Sequence, residues 1–266
     1  MWIPVLILLV VAAYFLYILH YAYSLYFSKL EPLTLSEKKV ILNNFPVYKK
    51  LSKRQKQKFE YRILRFRRDK QFIFHGLIPR QEDMALLLSD TATILTLGLR
   101  NYKIPAIQRL IIYPDQYFSK INRQNHIGEY NPGLKTIVFS AEHVKQGFEI
   151  PNDNKNLGVH EFAHALSFNA ILERTFENRN FRKNMERLTS LHGSTSFQKK
   201  INNTSYFRNY SKTNIHEFFA VAVENYVETP IEFKLQFPEL YKLIGRMLNF
   251  DFQKPFNVEL KEKSKT

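Results

Sequence analysis

The chain has 266 residues, 45% of them hydrophobic, enough for one substantial catalytic domain or a domain plus an anchor. It contains no cysteine, which excludes disulfides, thiolate-held zinc and a thiol nucleophile, so a metal must be held by His, Asp or Glu. The formal net charge of +15 is uneven: residues 28–80 carry 15 Lys and Arg against 4 Asp and Glu, whereas residues 81–159 carry 8 against 8.

From Trp2 to Leu19 the chain runs 18 residues without a charge, and aromatic character continues through Tyr21, Tyr23 and Tyr26 to Phe27. This predicts a transmembrane anchor over residues 1–27, with tyrosines at an interface. A cleaved signal peptide fits less well, because a charged n-region and a small-x-small cleavage site are missing. Lys29, Lys38, Lys39, Lys49 and Lys50 follow the span, so the positive-inside rule predicts a single-pass membrane protein with its bulk in the cytoplasm. The basic stretch beyond suits an anionic membrane surface better than nucleic acid, since no zinc-finger, RRM or helix-turn-helix signature accompanies it.

Residues 28–50 read as a juxtamembrane linker with a small helix, bounded by Pro32 and Pro46. Ser52 then caps a basic helix in which Phe59, Ile63 and Phe66 recur at i, i+4 and i+7. Membrane docking and an ordinary solvated charged face both account for its Lys and Arg residues. Met84–Leu99, nearly uncharged, predicts a buried helix. Leu110–Tyr113 and Thr136–Ser140 predict short strands of a small sheet. The main domain is expected to run over residues 51–256, with a polar tail at 257–266.

Leu157–Asn169 contains His160, Glu161 and His164 in the pattern H-E-x-x-H. On a helix the histidines fall one turn apart on one face and can share a metal ion, while Glu161 sits beside that face and can take a proton from water that a zinc ion has acidified. A core helix with two hydrogen-bonded histidines is the alternative. A catalytic zinc needs a third protein ligand, and the helix-like stretch Asn214–Val227 offers Glu217, Glu224 and Glu228 on one face. Glu217 can close the site and Glu224, two turns on, can orient a ligating imidazole. His216 as the ligand, and a pair of surface glutamates, are the competing readings.

These segments together resemble the Mlc titration factor A family of zinc-dependent peptidases. The likeness is carried by His160-Glu-Phe-Ala-His164, by Gly128-Glu-Tyr-Asn-Pro-Gly and Thr136-Ile-Val-Phe-Ser before it, and by Glu217-Phe-Phe-Ala-Val-Ala-Val-Glu224 after it. Phe45-Pro, Lys70-Gln-Phe-Ile-Phe-His-Gly and Ile112-Tyr-Pro-Asp-Gln-Tyr-Phe add to it, so it covers about residues 40–250. It implies a mainly helical, zincin-like α+β metallopeptidase of the gluzincin type, with a small sheet, behind the transmembrane helix. It implies Zn2+ bound by His160, His164 and Glu217, with Glu161 as general base and Tyr210 stabilising the oxyanion. The implied partners are a peptide or protein substrate, with pairing along the strand at Thr136–Ser140 by analogy with zincins, and a transcriptional regulator. Membrane-tethered sequestration of such a regulator, with a structural or vestigial zinc site, is the alternative function.

Overall fold

A computed structural model describes residues 3–27, 30–119, 123–208 and 213–253. The chain divides into two units, Met1–Pro32 and Leu33–Thr266. In the first, helix α1 (Ile3–Phe27) is 25 residues long and exposes its large apolar side chains between Val5 and Leu19. Among the described residues no helix is long and apolar enough to cross a membrane, so the expected transmembrane helix is not supported by this structure. The polar tail lies outside the described residues.

The second unit is α+β and mainly helical. It opens with α2 (Leu35–Asn44), capped by a reciprocal Thr34–Glu37 box, then α3 (Pro46–Lys50) and α4 (Lys53–Asp69). The stretch expected as a linker is partly core: Leu33, Ile41, Phe45, Val47 and Tyr48 are buried, as is Leu51 just after it, because these apolar residues find partners in the domain. In α4, Ser52 accepts from the Gln55 N–H while the Gln55 side chain accepts from the Ser52 N–H, and Phe59, Ile63 and Phe66 are buried. Several of its basic residues serve the interior. Arg62 donates to the carbonyls of Thr96 at 2.5 Å and Leu99 at 2.6 Å, and Lys58 donates to Leu97 at 3.1 Å. They satisfy orphan carbonyls around the end of helix α5 (Gln81–Leu95), which is buried from Met84 to Leu95.

The strands are β1 (Gln71–Phe74), β2 (Arg109–Tyr113), β3 (Tyr117–Ser119), β4 (Gln124–His126), β5 (Gly128–Asn131) and β6 (Thr136–Ser140). The main sheet has the order β1-β2-β6-β5, with β5 antiparallel to β6 and the other pairs parallel; β3 and β4 form a separate antiparallel hairpin. This corrects the expected substrate strand. Thr136–Ser140 is interior, hydrogen-bonded to β2 on one side and β5 on the other, so β5 is the edge nearest the H-E-x-x-H segment.

Helices α6 (Ala141–Glu149), α7 (Leu157–Leu172), α8 (Phe176–Gly193), α9 (Thr195–Asn202), α10 (Ile215–Glu228), α11 (Pro230–Gln236) and α12 (Pro238–Leu248) follow. Helix α7 is the central one, packed against α5, α8, α10 and β5. Its Phe162 lies 5.9 Å, ring to ring, from both Phe66 and Phe139, joining α4, α7 and β6 in one core. A helix surrounded in this way is apolar on nearly every face. The polar residues it does bury therefore stand out.

Candidate metal centre

Among them are His160 and Glu161, both buried, within the first two turns of α7; Ser167 and Asn169 are buried further along. The helix starts at Asn156, whose side chain accepts from the Val159 N–H at 3.1 Å. Helix α10 starts in the same way: the Asn214 side chain accepts from the N–H groups of His216 at 2.9 Å and Glu217 at 3.0 Å. The two caps fix where each helix begins. The packing of α7 on α10 then brings Glu217 to the histidine pair.

His160 Nε2 lies 3.1 Å from His164 Nε2, and Glu217 Oε2 lies 3.0 Å from the first and 3.4 Å from the second. Two ligands each about 2.05 Å from a tetrahedral zinc are about 3.3 Å apart. The three separations fall close to that value, and two neutral imidazole nitrogens with a carboxylate oxygen are a donor set that suits zinc. Among the described residues this is the one group of three or more such side chains near enough to hold an ion. His216 is exposed and outside it.

Glu224 is wholly buried, two turns along α10 from Glu217. Its Oε1 is 2.6 Å from His160 Nδ1 and its Oε2 accepts from the Asn156 N–H at 2.7 Å. One carboxylate therefore orients the first histidine and anchors the start of α7. Arg208 pairs with Glu224 and approaches His160 Nδ1 at 3.2 Å. Sequence reasoning missed Arg208 as a site residue. The available signal was a buried acid in an apolar helix, which requires a cation, and a lone arginine in the loop before that helix.

The electrostatics favour positive charge. Burial works against a charged His160, yet hydrogen bonds to Glu217 and Glu224 and the field of Glu161 outweigh it and hold its pKa up at about 10. Burial likewise pushes Glu217 up, but hydrogen bonds from His160 and His164 bring it well below the usual carboxylate range. Glu161 goes the other way: burial raises it, against the pull of both histidines. Of the residues expected to work together, the structure gathers His160, His164, Glu217 and Glu161; Tyr210 lies outside the described residues.

Strand β5 passes close over Glu161. A Cβ built on Gly128 would stand 2.9 Å from Glu161 Oε1 and 2.6 Å from Leu157 Cδ1, so the backbone approaches to a distance that a side chain would prevent. Two clefts meet here. One of about 640 Å³ runs from the centre toward α6 past Gln146, Ile150 and Lys155. The other, of about 400 Å³, runs past Tyr130, Phe168 and Ile171 and reaches His164 and Glu217.

Two imidazoles and a distal carboxylate converging beside a buried glutamate, with an open cleft on either side, are the equipment of a metal-dependent peptidase. Comparison with known families gives the same class: the chain belongs to the glucose-regulated metallo-peptidase M90 family, which matches residues 26–248. The chain is also similar to an uncharacterized protein of Synechocystis sp., at 24% identity over 223 residues, covering 78% of this chain and 81% of that protein.

Proposed function

We propose that the protein hydrolyses peptide bonds, with His160, His164 and Glu217 holding a zinc ion and Glu161 acting as general base and then general acid. The observation that carries this reading is the triangle of donor atoms, spaced as a tetrahedral zinc requires, beside a buried carboxyl whose pKa burial has raised. Zinc bound there acidifies water and polarises a carbonyl. Glu161 takes the proton from the attacking water, and the proton later passes from its carboxyl to the departing amine nitrogen. Glu224 holds the His160 ring by Nδ1 so that Nε2 stays turned to the centre, and Arg208 pairs with Glu224. The substrate backbone adds in extended form to the edge of β5, directly above Glu161.

The test is Glu161→Gln assayed on quenched fluorescent peptides. The variant is expected to retain about one zinc per chain and to lose turnover by about 10²–10⁴-fold. Undiminished cleavage would overturn the mechanism. A wild-type protein that binds zinc and cleaves nothing would instead favour sequestration of a regulator.

The localisation proposed with this activity is a membrane, through α1, with the catalytic unit on the cytoplasmic side. Support comes from the exposed apolar side chains of α1 and the lysines that follow it in sequence. Full-length protein is expected to float with liposomes and to stay at the bottom of the gradient when residues 1–32 are removed. Equal flotation of both would refute the anchor.

A further inference from the structure

Strand β5 and helix α7 lie side by side and run in the same direction. At one end Gly128 lies over Leu157 and Glu161. Further along, the Tyr130 ring meets the Phe168 ring edge-on with 6.0 Å between centroids, and the Tyr130 hydroxyl donates to the Ala106 carbonyl at 3.1 Å. Side chains alternate on a strand, so positions 128 and 130 face α7, while Glu129 between them faces away and accepts from the Tyr117 hydroxyl at 3.3 Å. On the helix, His164, Phe168 and Ile171 fall at i, i+4 and i+7. They share one face, which leads from the metal position about 10 Å along α7.

That face forms one side of the cleft of about 400 Å³ that reaches His164 and Glu217. Away from the metal position Tyr130, Pro132, Phe168 and Ile171 make an apolar wall, and the start of α10 supplies a polar rim. Ile171 is 60% exposed. A single exposed isoleucine is ordinary on a protein surface, but this one continues the wall made by Phe168 and Tyr130 inside a concave site. An apolar side chain laid there would remove water from its own surface and from theirs. The cleft on the other side of the centre has a different chemistry, with Glu149, Asp153, Lys155 and Arg208 in its lining.

The geometry points to a substrate class: peptides with an apolar side chain at the second or third residue before the scissile bond, selected by Phe168 and Ile171 in this cleft. The inference rests on the peptidase reading and on strand addition at β5. Antiparallel addition is the more stable pairing, and it lays the substrate from the Tyr130 end toward Gly128, N-terminus first. Residues directly opposite in an antiparallel pair put their side chains on the same face. The substrate residue opposite Tyr130 therefore projects toward α7, beside Phe168 and Ile171. It stands two places N-terminal of the residue opposite Gly128, the strand position that lies over Glu161. With the scissile bond on either side of that residue, the selected side chain is the second or the third before it.

Two peptide hydroxamates test this, acetyl-Leu-Leu-Gly-hydroxamate and acetyl-Asn-Asn-Gly-hydroxamate. Each carries its zinc-binding group at the carbonyl of the last residue and fills only positions before the bond. Zinc-loaded wild type is expected to bind the leucine compound about 10–100-fold more tightly than the asparagine compound. In Ile171→Asp that ratio is expected to fall to within about threefold, and in Ile171→Ala to a value between the two, with zinc content unchanged in both variants. Quenched peptides with the same residues before a common cleavage site should rank in the same order by kcat/KM. No preference in wild type, or a preference that Ile171→Asp leaves intact, would overturn the assignment. The binding ratios are read whether or not a peptide is cleaved, so failure of the peptidase reading would show separately, as a wild type that discriminates between the hydroxamates and turns over neither peptide.

Discussion

Glu224 reaches His160 with a 2.6 Å contact between Oε1 and Nδ1, from a position on α10 that water does not reach. The interaction fixes the ring plane and leaves Nε2 as the donor available to a metal.

Glu224→Gln keeps the shape and removes the charge. Zinc affinity is expected to fall by about 10–100-fold, as is usual when the outer partner of a ligating histidine is lost. Competition with a fluorescent chelator measures it. Unchanged affinity would mean that packing alone positions the imidazole. Arg208→Ala should lower affinity in the same direction and by less, because Glu224 keeps its hydrogen bond from Asn156.

Glu217→Ala removes the third donor. Metal analysis is expected to fall from about one zinc per chain to well below half. Wild type should melt higher with zinc than with chelator, by an amount equivalent to about 2.7 kcal/mol at a free zinc concentration one hundred times Kd, while the variant should show almost no such difference. A variant that is stabilised by zinc as strongly as wild type would place the ligand elsewhere.

Gly128→Ala tests the close approach of β5 to Glu161, the proposed base. The added methyl has no room beside Glu161 Oε1 and Leu157 Cδ1. Displacing the carboxyl by even a fraction of an ångström is expected to reduce kcat by about 10²-fold with zinc retained. Activity within a factor of two would show that the strand yields at little cost.

Glu228, one turn beyond Glu224, gives a stability test that does not pass through the metal. Burial, helped by repulsion from Glu224 and Asp153, raises its pKa from 4.5 to about 8. Below pH 4.5 the carboxyl is protonated in the folded and unfolded chain alike. As the pH rises toward 8 the unfolded chain ionises while the folded one holds its proton, so stability is lost across that window. Glu228→Gln should therefore melt like wild type near pH 4.5 and gain about 1–3 kcal/mol at pH 8–9. A gain that does not grow with pH would refute the shift.

The centre was legible because its signals are local. His160, Glu161 and His164 share one helical turn, and Glu217 and Glu224 stand out as acids in an otherwise apolar helix. Strands β2 and β6 and the buried α5 were legible for the same reason, from apolar runs between turn residues. What local pattern could not give was pairing. That β6 is interior and β5 the edge depends on which strand lies beside which, and that Arg62 and Lys58 point inward depends on the carbonyls of Leu97 and Leu99, far along the chain.

Among the contacts of α10 with α7, Glu217 reaches His164 and Glu224 accepts from the Asn156 N–H at the start of α7, two ties seven residues, or about 10 Å, apart along α10 and eight residues apart on α7. A pair of rods joined at one point can pivot, but joined at two it can neither swing nor slide. The donor triangle is thus held to size by folding rather than assembled by the ion. The protein should capture its metal at a rate set by diffusion and dehydration of the ion, without waiting for a helix to move.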